Sequence, residues 1–281
     1  MKVATINDHA CVVVSAGCAW RIAAESDGQF GPRMADLFPH WAAFCHWASR
    51  HQPTETFSFS DEELGLISPQ PAQIFAIGLN YHEHARETGL QSEKSFPPVF
   101  PKWASSLANP VGNLAVPAQH SHIDWEVELV VAIGREARHV SREAALDYVA
   151  GYAVGQDFSD RKVQFAGQSA QWGLAKSFKG FSPVGPWLVT PDELPGGAAI
   201  TCIVDGVVKQ SGTLNEMIFS VADIIAILSD VVTLMPGDLI FTGTPSGVGF
   251  ARQPAEYLQP GSTVVSSIAG IGELRQRVVA R

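Results

Sequence analysis

The run from His120 to Gly134, HSHIDWEVELVVAIG, constrains the fold of this chain more than any other stretch. His120, His122, Asp124, Glu126 and Glu128 stand at every second position, with Ile123, Trp125, Val127 and Leu129 between them. Side chains of a strand point alternately to its two faces, so the pattern predicts a β-strand with one apolar and one acidic face. The residues that follow, LVVAIG, are apolar throughout, as in a strand entering a core. Glu126 and Glu128, on one strand face, lie about 6.6 Å apart at the backbone. At an effective dielectric of 20 their repulsion is roughly 2.5 kcal/mol. Either both acids face water on an edge strand, or the pair is buried with a cation. Hard divalent ions such as Mg²⁺ take oxygen ligands, commonly a few carboxylates completed by water and substrate.

Composition narrows the rest. A chain of 281 residues that is 46% hydrophobic and 17% charged can bury one large domain, or one domain and a small companion. A net charge of -9, without clustered Lys and Arg, gives no footprint for nucleic acid, while a small anionic substrate stays compatible with local positive groups. Cys11, Cys18, Cys45 and Cys202 show no CxxC spacing and read as reduced thiols of a cytoplasmic protein. ACVVVSAGC has the length of a signal-peptide core, but Asp8 and His9 precede it and only Lys2 is basic, so a secretory reading is disfavoured. No apolar run approaches the roughly 20 residues of a membrane span.

Pro69 and Pro71 mark a linker between residues 1–70, a small α+β unit with a strand over residues 10–14 and a helix around HWAAFCHWASR, and a larger unit over residues 71–281. The second unit reads mostly as strands with Gly-rich turns, AAITCIVDGVVKQSG and STVVSSIAGIGELRQRVVA among them. REAALDYVAGY and SVADIIAILSDVV carry its best helical patterns, which makes the chain α+β with a predominantly β second domain.

Four further segments carry candidate chemistry. In GLNYHEHARETG, Asn80 and Glu83 have the spacing of a capping box, and Gly89 offers a C-terminal stop. His84 and Glu87 are three apart and share a helix face, as a general base and its orienting acid do, or as a plain surface pair does. GYAVGQDFSDRKVQ ends an apolar strand in Asp157, a further metal oxygen or part of a helix cap, while Arg161 offers a fork for a carboxylate. Lys176, in LAKSFKGF, either snorkels to water or offsets negative charge in a pocket. PGDLIFTGTPSGVG is no nucleotide loop, since Val248 replaces the P-loop lysine and Arg252 the third dinucleotide glycine. It reads as a tight turn bringing Thr242 or Thr244 and backbone amides to a site. His120 and His122 lack companions for zinc and read as surface residues.

Together, GLNYHEHARETG, SSLANP, DWEVELVVAIG, GYAVGQDFSDRKVQ, LAKSF, SPVGPWLVTPDEL, MPGDLIFTGTPSGVG and IAGIGELR resemble, in that order, the fumarylacetoacetate hydrolase family over about residues 72 to 279. The resemblance implies a mixed β-sandwich roll over residues 71–281 and a variable N-terminal domain before it. It places Mg²⁺ or Mn²⁺ on Glu126, Glu128 and Asp157, and a water-activating pair on His84 and Glu87 in a segment that acts as a lid in relatives. Lys176 matches a catalytic group that offsets developing charge, while Arg161, Gln164 and Thr244 match substrate-holding positions. Lys162 departs from the Asp most members carry there, which bears on substrate shape, and Lys102 and Trp103 are expected to shape the pocket. The implied reaction is metal-dependent hydrolysis of a C–C bond in an acylpyruvate-like 2-oxo acid by a homodimer. Decarboxylation of oxaloacetate and isomerisation of a hydroxymuconate-like diacid are alternatives on the same site, and a non-catalytic protein retaining the fold is an alternative of another class.

Overall fold

The computed structural model describes residues 1–89, 95–116 and 120–280. The alternating run folds as a short strand, Ile123–Asp124, a break at Trp125 and Glu126, and a seven-residue strand, Val127–Ile133, in which every residue is buried. Its two faces enter two different cores. Val127, Leu129, Val131 and Ile133 join one, Val130 and Ala132 the other. Glu126 and Glu128 precede Val130 and Ala132 at the same parity, so the acids lie at the mouth of an otherwise apolar face. Val149–Gln156 and Leu239–Phe241 flank this strand antiparallel on its two sides. It is therefore central, and the water-facing edge strand is ruled out.

These strands belong to an 11-stranded sheet whose path runs from Phe57–Ser58 through Cys18–Arg21, His9–Ser15 and Lys2–Ile6 to Ser182–Val189. It continues through Val149–Gln156, Val127–Ile133 and Leu239–Phe241 to Ile74–Ile77 and Val99–Pro101. Lys2–Ile6 pairs antiparallel with Ser182–Val189, so the first 70 residues and the remainder share this sheet. One face is covered by N-terminal apolar residues, Trp20, Phe44 and Met34 among them. The other packs on a five-stranded sheet built from Val207–Thr213, Ala199–Val204, Thr263–Ile268, Gly272–Ala280 and Val111–Val116. The strands expected in AAITCIVDGVVKQSG and STVVSSIAGIGELRQRVVA form, each segment as an antiparallel hairpin, the first turning at Asp205 and Gly206, both at positive φ.

Both predicted helices of HWAAFCHWASR and SVADIIAILSDVV are present, as Trp41–Ala48 and Val221–Val231. The second starts at a capping box, with Ser220 and Asp223 each accepting from the other's backbone amide. Two local expectations are corrected. REAALDYVAGY forms a 3₁₀ turn at Ala145–Tyr148 and then enters the strand Val149–Gln156, all of it buried. Three of the strand's residues, Val149, Tyr152 and Val154, are Val or Tyr, which favour a packed strand over a helix. The helix His82–Thr88 is capped by Tyr81 without a side-chain bond, and Asn80 faces inward instead. The Asn80 amide donates to the carbonyls of Phe219 and Thr242 and its oxygen accepts from Phe219, while Glu83 pairs with Arg86. Gly89 does terminate the helix, in the left-handed conformation. No helix among the described residues is long and apolar enough to cross a membrane.

Candidate active site

Where the central strand begins, its acids meet the residue that ends the neighbouring strand. The Asp157 amide donates to the Glu126 carbonyl (2.9 Å), which turns the Asp157 side chain toward Glu126 and Glu128. Ligand oxygens of the three carboxylates lie within 4.8 Å of one another, and all three residues are buried. Lys176 Nζ donates to Glu126 Oε2 (2.6 Å) and Asp157 Oδ2 (2.8 Å), Lys102 Nζ donates to Asp157 Oδ1, and Arg161 Nη2 donates to Glu126 Oε1 (2.6 Å). Glu128 receives one hydrogen bond, from the Gly243 amide (2.8 Å).

The difference in partners divides the acids. Burial pushes the Glu126 carboxyl up, but Lys176 and Arg161 outweigh it and hold the group at about 2. Burial drives Glu128 well above the usual carboxylate range, and the charges of Asp157 and Glu126 add to the effect. Burial opposes the Lys176 ammonium too, yet Asp157 and Glu126 prevail and raise it; burial lowers Lys102, and Asp157 only partly offsets this. Counting Asp124, four buried acids face three buried bases, so the cluster carries a surplus negative charge once Glu128 gives up its proton to a bound cation. With all three ionised, a carboxylate pair at the outer limit of 4.8 Å repels by about 3.5 kcal/mol at an effective dielectric of 20. An all-oxygen donor set with surplus negative charge fits a hard divalent cation, with Glu126, Glu128 and Asp157 as its protein ligands.

Beside this cluster, His84 Nδ1 is hydrogen-bonded to Glu87 Oε1 (2.8 Å), and the imidazole is buried in the wall of the same pocket. A carboxylate on Nδ1 fixes the proton there and leaves Nε2 as the acceptor. Glu87 is itself held, its Oε2 accepting from the Gly247 amide (2.8 Å). Asp124 accepts from the amides of Gly249 (2.6 Å) and Phe250 (3.0 Å) and from Arg161 Nε (2.8 Å). The Gly-rich loop after Leu239–Phe241 thus gives backbone amides to three acids with different duties: Glu128 in the cluster, Glu87 behind the histidine, and Asp124 behind the arginine.

A profile of the fumarylacetoacetate hydrolase C-terminal family matches residues 73–279. This chain belongs to that family. Curated relatives in the family include the human mitochondrial oxaloacetate tautomerase FAHD2A, 40% identical over 221 residues, or 77% of this chain and 70% of the relative. A Dictyostelium discoideum fumarylacetoacetate hydrolase domain-containing protein 2 homolog is 41% identical over 220 residues, covering 74% and 72%. A crystal structure of a candidate HpcE protein from Mycobacterium smegmatis superposes with a TM-score of 0.93 at 42% identity, covering 100% of this chain and 99% of that one. Maleylpyruvate hydrolase from Sphingobium sp. SYK-6, crystallised with manganese(II) and pyruvate, gives 0.82 at 27% identity, covering 100% and 99%. The family fold is α+β and mostly sheet, as the motif order implied.

The pocket brings together Glu126, Glu128, His84, Lys176, Arg161, Gln164 and Thr244, with Asp157 and Glu87 in contact behind them. Thr242 stays outside, its hydroxyl donating to the Leu129 carbonyl. Two expectations about pocket shape are corrected: Trp103 lies outside the wall and is exposed, and Lys102 acts from behind through Asp157. Lys162 is also exposed, its amide donating to the Asp160 cap of the turn Arg161–Gln164. His122 packs on Tyr257 and His120 pairs with Asp160, so both are half-buried where the sequence suggested open surface. Sequence reasoning missed Asp124, whose signal was its place in the opening alternation. It also missed four aromatic residues of the wall, Phe100, Phe165, Trp172 and Phe250, for which spacing carried no signal.

Proposed function

We propose that this chain is a divalent-cation-dependent hydrolase that cleaves the C–C bond of an acylpyruvate to give pyruvate and a carboxylic acid. The observation that carries the reading is the buried cluster of Glu126, Glu128 and Asp157 beside the His84–Glu87 pair. The manganese and pyruvate bound by the Sphingobium maleylpyruvate hydrolase support it. When bound by the three carboxylates, Mg²⁺ or Mn²⁺ supplies Lewis-acid charge for the oxygens of a 2-oxo acid. His84 Nε2 takes a proton from water while Glu87 holds the ring. The water oxygen bonds to C4 of the substrate, the C3–C4 bond breaks, and its electron pair passes to the pyruvate fragment. Lys176 lies where its charge offsets the enolate that develops, and the proton returns from His84 to C3. In this reading Thr244 and Gln164, which line the pocket, orient the bound acid. The working form in this reading is a homodimer, which light scattering on the purified protein tests.

The human tautomerase at 40% identity favours a second reading, keto–enol exchange of oxaloacetate, in which a proton moves between C3 and the 2-oxygen without attack by water. One pair of assays separates the two. His84→Ala lowers acylpyruvate hydrolysis by roughly 10²- to 10⁴-fold if His84 activates water. A parent enzyme that equilibrates oxaloacetate in Mg²⁺ yet leaves acylpyruvates intact replaces the first reading with the second.

A further inference from the structure

We propose that the aromatic wall of the pocket takes an aryl or bulky alkyl acyl group, so that the substrate is a 2,4-dioxo acid with one carboxylate rather than a diacid. The proposal rests on the 2-oxo acid reading above and concerns what lies beyond its head group. Arg161, the guanidinium in the pocket wall, is engaged inside the protein. Its Nε donates to Asp124 (2.8 Å), Nη1 to Gln164 Oε1 (2.8 Å) and Nη2 to Glu126 (2.6 Å). The Phe250 ring covers the guanidinium, 4.3 Å from its centre. The Lys176 ammonium is held between Glu126 and Asp157. Among the described residues of the wall, each cation is therefore bound to an acid of the cluster or to one of its supports.

The remaining wall is largely apolar, with Ile77, Leu79 and four aromatic rings. Phe165 and Phe250 form one pair, ring centroids 6.1 Å apart, and Phe100 and Trp172 meet edge to face at 5.4 Å. Gly78 makes room for Trp172, since a Cβ there would stand 2.1 Å from the indole ring. Phe165 is 51% exposed at the mouth, a large apolar surface that a ligand tail can cover. A second carboxylate against these rings loses water and gains no counter-charge. A phenyl group buries apolar area and packs on rings at their preferred spacing.

The test is binding and turnover by the Mg²⁺-loaded full chain of three probes sharing the 2-oxo acid head: oxaloacetate, 2,4-dioxopentanoate and 2,4-dioxo-4-phenylbutanoate. Calorimetry is expected to give the phenyl probe a Kd at least roughly tenfold below those of the other two. Phe165→Leu and Phe250→Ala are each expected to shrink that ratio by about threefold to tenfold. Phe165→Leu, at the exposed mouth, keeps the test sound if Phe250→Ala disturbs Arg161. Tight phenyl binding without cleavage to benzoate and pyruvate refutes the hydrolase reading and leaves this one standing. Oxaloacetate binding as tightly as the phenyl probe, no binding of the phenyl probe, or a ratio unchanged in both variants overturns it.

Discussion

Glu126 and Glu128 stand two residues apart on one strand face, yet removing their charges has opposite consequences because their donors differ. In Glu126→Gln, Arg161 and Lys176 lose an anionic acceptor in a buried site, and stability drops by roughly 3–5 kcal/mol in urea melts. The charge on Glu126, held at about 2 in the folded protein, contributes stability that is present above about 4.5 and is lost as pH falls toward 2. Glu128 has the reverse sign. Its folded carboxyl holds a proton that the unfolded chain releases above about 4.5, so cation-free stability declines as pH rises from there. Glu128→Gln removes that decline, and thermal melts in EDTA between pH 5 and 8 will show a higher and flatter Tm. Each kcal/mol regained raises Tm by roughly 2–4 °C for a chain of this size. The same variant loses Mg²⁺ or Mn²⁺ affinity by calorimetry, and retention of the parent's affinity would remove Glu128 from the ligand set.

The loop that carries Gly243, Gly247 and Gly249 shows what an element contributes when its side chains do little. Its amides reach Glu128, Glu87 and Asp124, so its path sets the spacing between the acid cluster, the histidine and the arginine. A Cβ at Gly249 would stand 2.1 Å from the Glu256 carbonyl oxygen and 2.7 Å from Asp124 Oδ1. Gly249→Ala therefore shifts the loop, and a displacement of about 1 Å is expected to lower kcat/KM by roughly 10²-fold. Cation affinity will change less, because Gly243 lies six residues away; equal loss of both would show that the loop moves as one body. This element was legible in the sequence as a turn bringing amides to a site, since glycine spacing reports backbone approach. Which acids would receive the amides was not, because Glu87 and Asp124 are more than a hundred residues distant. The same limit explains Asn80. Its spacing to Glu83 imitates a cap, and only tertiary contact with Phe219 and Thr242 reveals its inward turn.

Across the whole molecule, the alternation that opens the chain's central strand offered a buried acid pair as one of two readings and said nothing of the layers around it. Period and composition identify a buried strand; they do not say that residues 1–70 would extend its sheet through Lys2–Ile6 or cover Val130, Ala132, Leu239 and Phe241. A chain of residues 71–281 alone exposes that face, and light scattering will show it aggregating where the full chain stays dispersed. The aromatic pocket wall was equally hidden, since Phe100, Trp172, Phe165 and Phe250 come from separate segments. In the full chain, a cation at 100 times its Kd adds about 2.7 kcal/mol to folding, read as a rise in Tm that EDTA reverses. The strand Val127–Ile133, sealed by one core on each face, gives that linkage a kinetic form. Its amides can exchange with deuterium only when both layers part, so Mg²⁺ will slow exchange there by the full factor by which it suppresses global opening, while short edge strands such as Phe57–Ser58 keep their own pace.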